Sequence, residues 1–185
     1  MYIDCIDMTD PNVGNDVIQG LNSLSVASTQ LQFYGQSNGV AQMVSSVQSA
    51  LAGATIDVLR IWSHGGSGYQ YVSGDGASEQ QGDNFACITT DNFTQLGLQK
   101  LAPLFSSGAW VELRGCNVGA GGAGHALLLD LASIFGVPVY GGVFQQAGVD
   151  WNPPVVCGYP SGAMATTAGP VLNGNQSPAT TTTAD

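Results

Sequence analysis

Two apolar runs in this sequence each end in a reactive side chain. Ile56-Asp57-Val58-Leu59-Arg60-Ile61-Trp62-Ser63 leads into His64-Gly65-Gly66, and Ala109-Trp110-Val111-Glu112-Leu113-Arg114-Gly115 leads into Cys116. The chain has only two histidines and four cysteines, so an imidazole and a thiol at matching places form a narrow coincidence. A free thiol titrates near ~8.5, and only its thiolate attacks a carbonyl efficiently. A neighbouring imidazole can take that proton and later return one to a leaving amine. His64 and Cys116 are therefore candidate catalytic residues for nucleophilic acyl chemistry. Singly, each has a plainer explanation, because a free cysteine is often just a small buried hydrophobe and a lone histidine a hydrogen-bonded structural residue. Their joint placement favours catalysis.

For the two side chains to meet, the runs must be neighbouring strands of one parallel sheet, whose carboxyl edge gathers ligands and catalytic groups in open α/β folds. The rest of the chain supplies such a sheet. Residues 2–8 alternate as a short strand, Asp10-Pro11-Asn12 reads as a turn, and Asn15 or Asp16 is positioned to cap a helix running to Leu24. Residues 30–34 form a second strand. Val40, Met43, Val44, Val47 and Leu51 recur at helical spacing, with Gly53 at the end. A glycine-rich loop spans residues 65–89, with a hairpin arm at 69–72. Long ordered loops beside an active edge commonly shape a cleft. Asp91 is placed to cap a helix carrying Phe93, Leu96, Leu98, Leu101 and Leu104, which Gly108 ends before the Cys116 strand. A further helix runs to Phe135, a strand covers residues 136–140, and residues 141–160 look irregular.

This alternation predicts an α/β three-layer sandwich with a mainly parallel sheet and right-handed crossovers. It forms one domain over residues 1–172, followed by a disordered Ser/Thr-rich tail over residues 173–185.

The remaining polar residues are read structurally. Arg60 is expected to face Glu112 in an ion pair, His125 to lie on the surface or cap its helix, and Cys5, Cys87 and Cys157 to sit in the core. The cysteines match no zinc spacing and no disulfide framework. Carboxylates between Asp75 and Asp83 lack the calcium-loop pattern. The glycines of residues 119–124 lack the Gly-Lys-Ser/Thr of a phosphate loop. No metal or cofactor is expected.

Three basic residues against thirteen acidic ones give a formal charge of −10. Nucleic-acid or anionic-membrane binding needs clustered Lys and Arg, so neither is an expected partner. The first residues lack the basic and apolar regions of a signal peptide, and no run approaches the ~20 apolar residues of a membrane span. The expected location is cytoplasmic, or outside the cell by a signal-independent route, and the expected partner is a protein or peptide substrate.

An apolar strand ending in Ser63-His64-Gly65, followed about 50 residues later by one ending in Gly115-Cys116, resembles the caspase-like cysteine peptidases. The run Leu113-Arg114-Gly115-Cys116-Asn117-Val118-Gly119-Ala120-Gly121-Gly122-Ala123-Gly124-His125-Ala126-Leu127, with Phe135-Gly136-Val137-Pro138-Val139 after it, is similar to a caspase-like domain of uncharacterised function. That domain occurs near the start of large bacterial adhesins and haemolysin-like proteins, whose giant repeat region this sequence does not carry. The likeness covers residues 30–142. It implies a caspase-like fold, with Cys116 as nucleophile, His64 as general base and acid, and the backbone N–H groups of Gly65 and Cys116 as oxyanion donors.

The resemblance also implies that Arg114, two residues before the cysteine, lines the pocket for the side chain preceding the scissile bond. A guanidinium there suggests an acidic preference through a bidentate pair. Strand parity agrees in placing Trp110, Glu112, Arg114 and Cys116 on one face. The activity implied is that of a cysteine endopeptidase acting on itself or on a partner. A catalytically silent binding module of the same fold is the alternative, and another acyl transfer by the same dyad is a third.

Overall fold

The computed structural model describes residues 1–24, 27–35, 38–73 and 85–171. The tail over residues 173–185 and the carboxylates between Asp75 and Asp83 lie outside the described residues.

Ten strands, three α-helices and one 3-10 helix follow one another along the described chain. The main sheet contains β1 (Tyr2–Asp7), β2 (Thr29–Phe33), β3 (Ile56–Trp62), β7 (Phe105–Leu113), β8 (Val139–Gly142), β9 (Val155–Gly158) and β10 (Met164–Thr167). Its order is β10-β9-β8-β7-β3-β1-β2. The five strands β2, β1, β3, β7 and β8 run parallel, and β9 and β10 add antiparallel strands at one edge. A small second sheet, β4 (Gly65–Gly66), β5 (Tyr69–Tyr71) and β6 (Cys87–Thr89), grows out of the loop after β3. The fold is a mixed α/β sandwich in three layers, with a mostly parallel central sheet.

The period-two pattern of the central strands sorts side chains between the two outer layers. Ile3 and Cys5 of β1, Leu59 and Ile61 of β3, and Ala109, Val111 and Leu113 of β7 join one core. The buried stripes of α2 (Gly39–Leu51) and α3 (Gly121–Phe135) and the 3-10 helix Leu98–Leu104 complete it. On the opposite face, Ile6 and Trp62 pack against Val17 and Leu21 of α1 (Pro11–Asn22). Truncating one of the fully buried aliphatic residues, such as Leu59, would cost about 2–5 kcal/mol.

Four local readings are corrected. Helix α1 begins at Pro11, not after Asn15 or Asp16: Asp10 is its N-cap and accepts a bond from Asn12 N–H at 3.1 Å. Proline suits the first helical position because its missing N–H would be unpartnered there anyway. The segment after Asp91 forms turns and a short 3-10 helix, with Leu98 and Leu101 buried three residues apart and Pro103 inside it. Proline removes an α-type donor, and the three-residue repeat suits the tighter helix. Gly108 does not end a helix but lies within β7 at φ 83°, where the register against β3 shifts. The segment read as irregular contains β9, and β10 follows it. No helix among the described residues is long and apolar enough to cross a membrane.

Candidate active site

The sheet order brings three strand ends together. Strand β1 lies between β2 and β3, so the connections on its two sides leave in opposite directions, creating the switch point at which open α/β sheets bind ligands. Beyond the carboxyl ends of the neighbouring strands β1, β3 and β7 stand Asp10, His64 and Cys116 respectively. Asp7, at the end of β1, ties the first two of these segments together. One carboxylate oxygen accepts from Ser63 Oγ at 2.7 Å, and the other accepts from Thr9 N–H at 2.9 Å.

The His64 and Cys116 segments touch through their glycines. A Cβ built on Gly115 would lie 3.0 Å from the Gly65 Cα, and one on Gly65 would lie 3.2 Å from the Gly115 Cα. Such close approach of two backbones leaves no room for side chains. His64 and Cys116 both line one cleft of about 280 Å³, together with Trp62, Arg114, Asp16 and Gln146. The turn holding Cys116 is fixed by Asn117, whose φ of 58° is left-handed and whose N–H donates to Phe144 O at 3.0 Å. Asparagine tolerates that conformation better than most residues.

Cys116 is the one half-buried thiol; Cys5, Cys87 and Cys157 are buried. Its Sγ contacts Gln146 O at 3.6 Å as a weak donor. Burial pushes the Cys157 thiol up to about 11 and raises Cys5 further still, so neither is a nucleophile near neutrality. The expected core placement of these three cysteines agrees with the structure. His125 is exposed on α3, as expected for a surface residue.

The backbone donors expected for an oxyanion can be followed bond by bond. Tyr71 N–H donates to His64 O at 3.1 Å, which makes the adjacent Gly65–Gln70 pair a non-hydrogen-bonded one, so the Gly65 N–H turns away from β5. Around Cys116, Arg114 N–H goes to Ile61 O, Gly115 N–H to Gln70 Oε1 and Asn117 N–H to Phe144 O. Among the described residues the Cys116 N–H has no acceptor.

Asp10 was not singled out from the sequence. Its Oδ2 lies 3.4 Å from His64 Nε2, at the long end of hydrogen bonding, and both side chains are partly exposed. The Asn12 N–H, and after it the His64 ring, hold the Asp10 carboxyl below the usual carboxylate range. The only sequence signal available was the Asp-Pro pair at a helix start.

Arg114 lines the cleft as expected, but its guanidinium is committed elsewhere. Nε donates to Glu112 Oε2 at 2.7 Å, Nη2 lies 2.5 Å from the same oxygen, and Nη1 donates to Val149 O at 3.2 Å. Its Cζ sits 3.7 Å from the Trp151 ring centre and 4.8 Å from that of Trp62. The expected fork for a substrate carboxylate is therefore buried against Glu112, although Nη2 itself makes no aligned hydrogen bond. The Arg60–Glu112 ion pair is also corrected: Arg60 grips Asp4 of β1 through Nε at 2.6 Å and Nη2 at 2.8 Å. Although Arg60 stands opposite both residues in register, Trp62 Nε1 also bonds Asp4, while Trp110 Nε1 and Arg114 occupy Glu112.

A family model described as Domain of unknown function (DUF4347) matches residues 10–152. The chain belongs to the DUF4347 family. The DUF4347 match opens at Asp10, includes His64, Arg114 and Cys116, and ends just past Trp151, so it spans every wall of the cleft. No curated protein and no solved structure matches the chain.

Proposed function

We propose that this protein is a cysteine endopeptidase acting through Cys116 and His64. The observation that carries the reading is the shared cleft, into which a half-buried thiol and an imidazole are brought from touching strand-end loops. In this scheme the Cys116 thiol gives its proton to His64, and the sulfur adds to the carbonyl carbon of a peptide bond. The oxyanion that forms is met by the N–H groups of Gly65 and Cys116. The C–N bond then breaks as His64 passes its proton to the departing amine, leaving a thioester. Water, deprotonated by His64, attacks that thioester; the C–S bond breaks and the thiol is restored. Asp10 orients the ring, because a proton held on Nε2 towards the carboxylate leaves Nδ1 as the proton acceptor. The substrate is a protein or peptide, and the burial of Arg114 against Glu112 supports neutral or basic side chains before the cut over acidic ones.

A peptidyl chloromethyl ketone tests the reading. Mass mapping is expected to find the adduct on Cys116, with labelling lost in Cys116→Ala and strongly slowed in His64→Ala. Equal labelling of the buried thiols, or labelling unaffected by His64→Ala, would support a catalytically silent module instead.

A further inference from the structure

Gln70, in the middle strand of the small sheet, is fully buried, yet its side chain touches both halves of the candidate catalytic pair. Its Nε2 donates to His64 O at 3.3 Å and to Tyr71 O at 2.9 Å, and its Oε1 accepts the Gly115 N–H at 2.9 Å. We propose that Gln70 is a positioning residue that fixes the separation of His64 and Cys116 by cross-linking the backbones that carry them. This inference rests on the peptidase reading above and names the device that sets its geometry.

The backbone ladder explains why such a device is needed. Strands β3 and β7 pair in register up to Ile61 and Leu113, and the last rung beyond them is Arg114 N–H to Ile61 O at 2.8 Å. Past that point the two chains leave the sheet as separate loops, and no backbone bond joins residue 64 to residue 115. The Gln70 amide bridges the gap as a side-chain rung, taking the Gly115 N–H on one loop and the His64 carbonyl on the other. A buried amide is costly unless its polar atoms are matched, and here both ends are. An apolar residue of similar size would fill the same space without that cost, so packing alone does not call for glutamine. Geometry at the reacting groups is worth far more than the bonds themselves: an error of about 1 Å can cost about 100-fold in rate.

The test measures alkylation of Cys116 by iodoacetamide between pH 5 and 9, followed by peptide mass mapping. The proteins compared are wild type, His64→Ala, Gln70→Met and Gln70→Glu, each checked for a cooperative thermal transition. His64→Ala is expected to slow alkylation of Cys116 relative to wild type, most strongly towards neutral and lower pH. Gln70→Met is expected to move the profile towards that of His64→Ala, with the rate at pH 6.5 falling by roughly tenfold. If Gln70→Met does not fold, Gln70→Glu is read in its place. Its buried carboxyl keeps the size and the acceptor for Gly115 but offers at most one donor where the amide has two, so a smaller shift in the same direction is expected. A wild-type profile in the folded Gln70 variant, alongside an altered one in His64→Ala, overturns the role of Gln70 and leaves the peptidase reading standing. An unchanged profile in His64→Ala overturns both.

Discussion

Glu112 and Arg114, two residues apart on one strand, form a buried ion pair in which Arg114 Nε meets Glu112 Oε2 at 2.7 Å beneath the candidate cleft. Burial pulls the guanidinium below its ordinary range, and Glu112 opposes that shift. Removing the carboxylate would strand a charge between Trp62 and Trp151. Glu112→Leu is expected to lower unfolding free energy by about 3–5 kcal/mol, because an unpaired buried charge is far costlier than a pair. The double variant Glu112→Leu with Arg114→Met is expected to recover most of that loss. Urea denaturation of the three proteins checks this, and a single-variant loss below about 1 kcal/mol would contradict it.

In the peptidase reading, the same pair bears on substrate choice. Arg114 is buried against Glu112, while Asp16 lines the cleft and Asp10 stands beside His64. A peptide library is expected to show no enrichment of Asp or Glu before the cut. Enrichment of acidic residues there would show that substrate displaces Glu112 from Arg114.

Asp10 serves two structures, the start of α1 and the His64 ring, and two substitutions separate them. Asp10→Asn keeps a capping side chain and removes the charge, so activity is expected to fall more than stability. Asp10→Ala loses both, and its melting temperature is expected to be lower still.

The pH dependence follows from the depressed Asp10 carboxyl. Its folded value lies below its unfolded one, so its stabilising effect is complete above the ordinary carboxylate value of ~3.9 and disappears as pH falls through the folded value. The difference in melting temperature between wild type and Asp10→Asn is therefore expected to shrink on acidification. A gap that stays constant from neutral pH through the carboxylate range would contradict this.

Gly115→Ala tests the contact between the two loops. Its Cβ would fall 2.6 Å from Gln70 Oε1 and 2.9 Å from Val118 Cγ2, as well as 3.0 Å from the Gly65 Cα. Overpacking of this kind typically costs about 1–3 kcal/mol. Peptide hydrolysis is expected to fall further than stability, as read by activity assay and thermal melt together. Wild-type activity in this variant would show that the loops tolerate separation.

The strands carrying His64 and Cys116 were legible because buried parallel strands announce themselves as apolar runs, and each ends in a glycine and a chemically distinctive residue. The layered α/β class followed from their alternation with the α2 and α3 patterns. Asp10 was hidden because Asp-Pro-Asn satisfies a turn and a helix start equally well. Strand parity placed Arg114 on the right face, but its partner depended on how Trp62, Trp110 and Trp151 close around the charges, which no local pattern encodes. Gln70 was invisible for a similar reason: its value lies in two backbone atoms contributed by distant loops. Strands β9 and β10 are only four residues each and run antiparallel at an edge, too short for periodicity to register.

Turnover of a mixed peptide library by wild type, Cys116→Ala and His64→Ala tests the catalytic pair most directly. Wild type is expected to cut, and each substitution to abolish cutting while the fold persists by circular dichroism. Cleavage that survives in both variants, or its absence from wild type as well, would contradict a role for this thiol and imidazole in peptide hydrolysis.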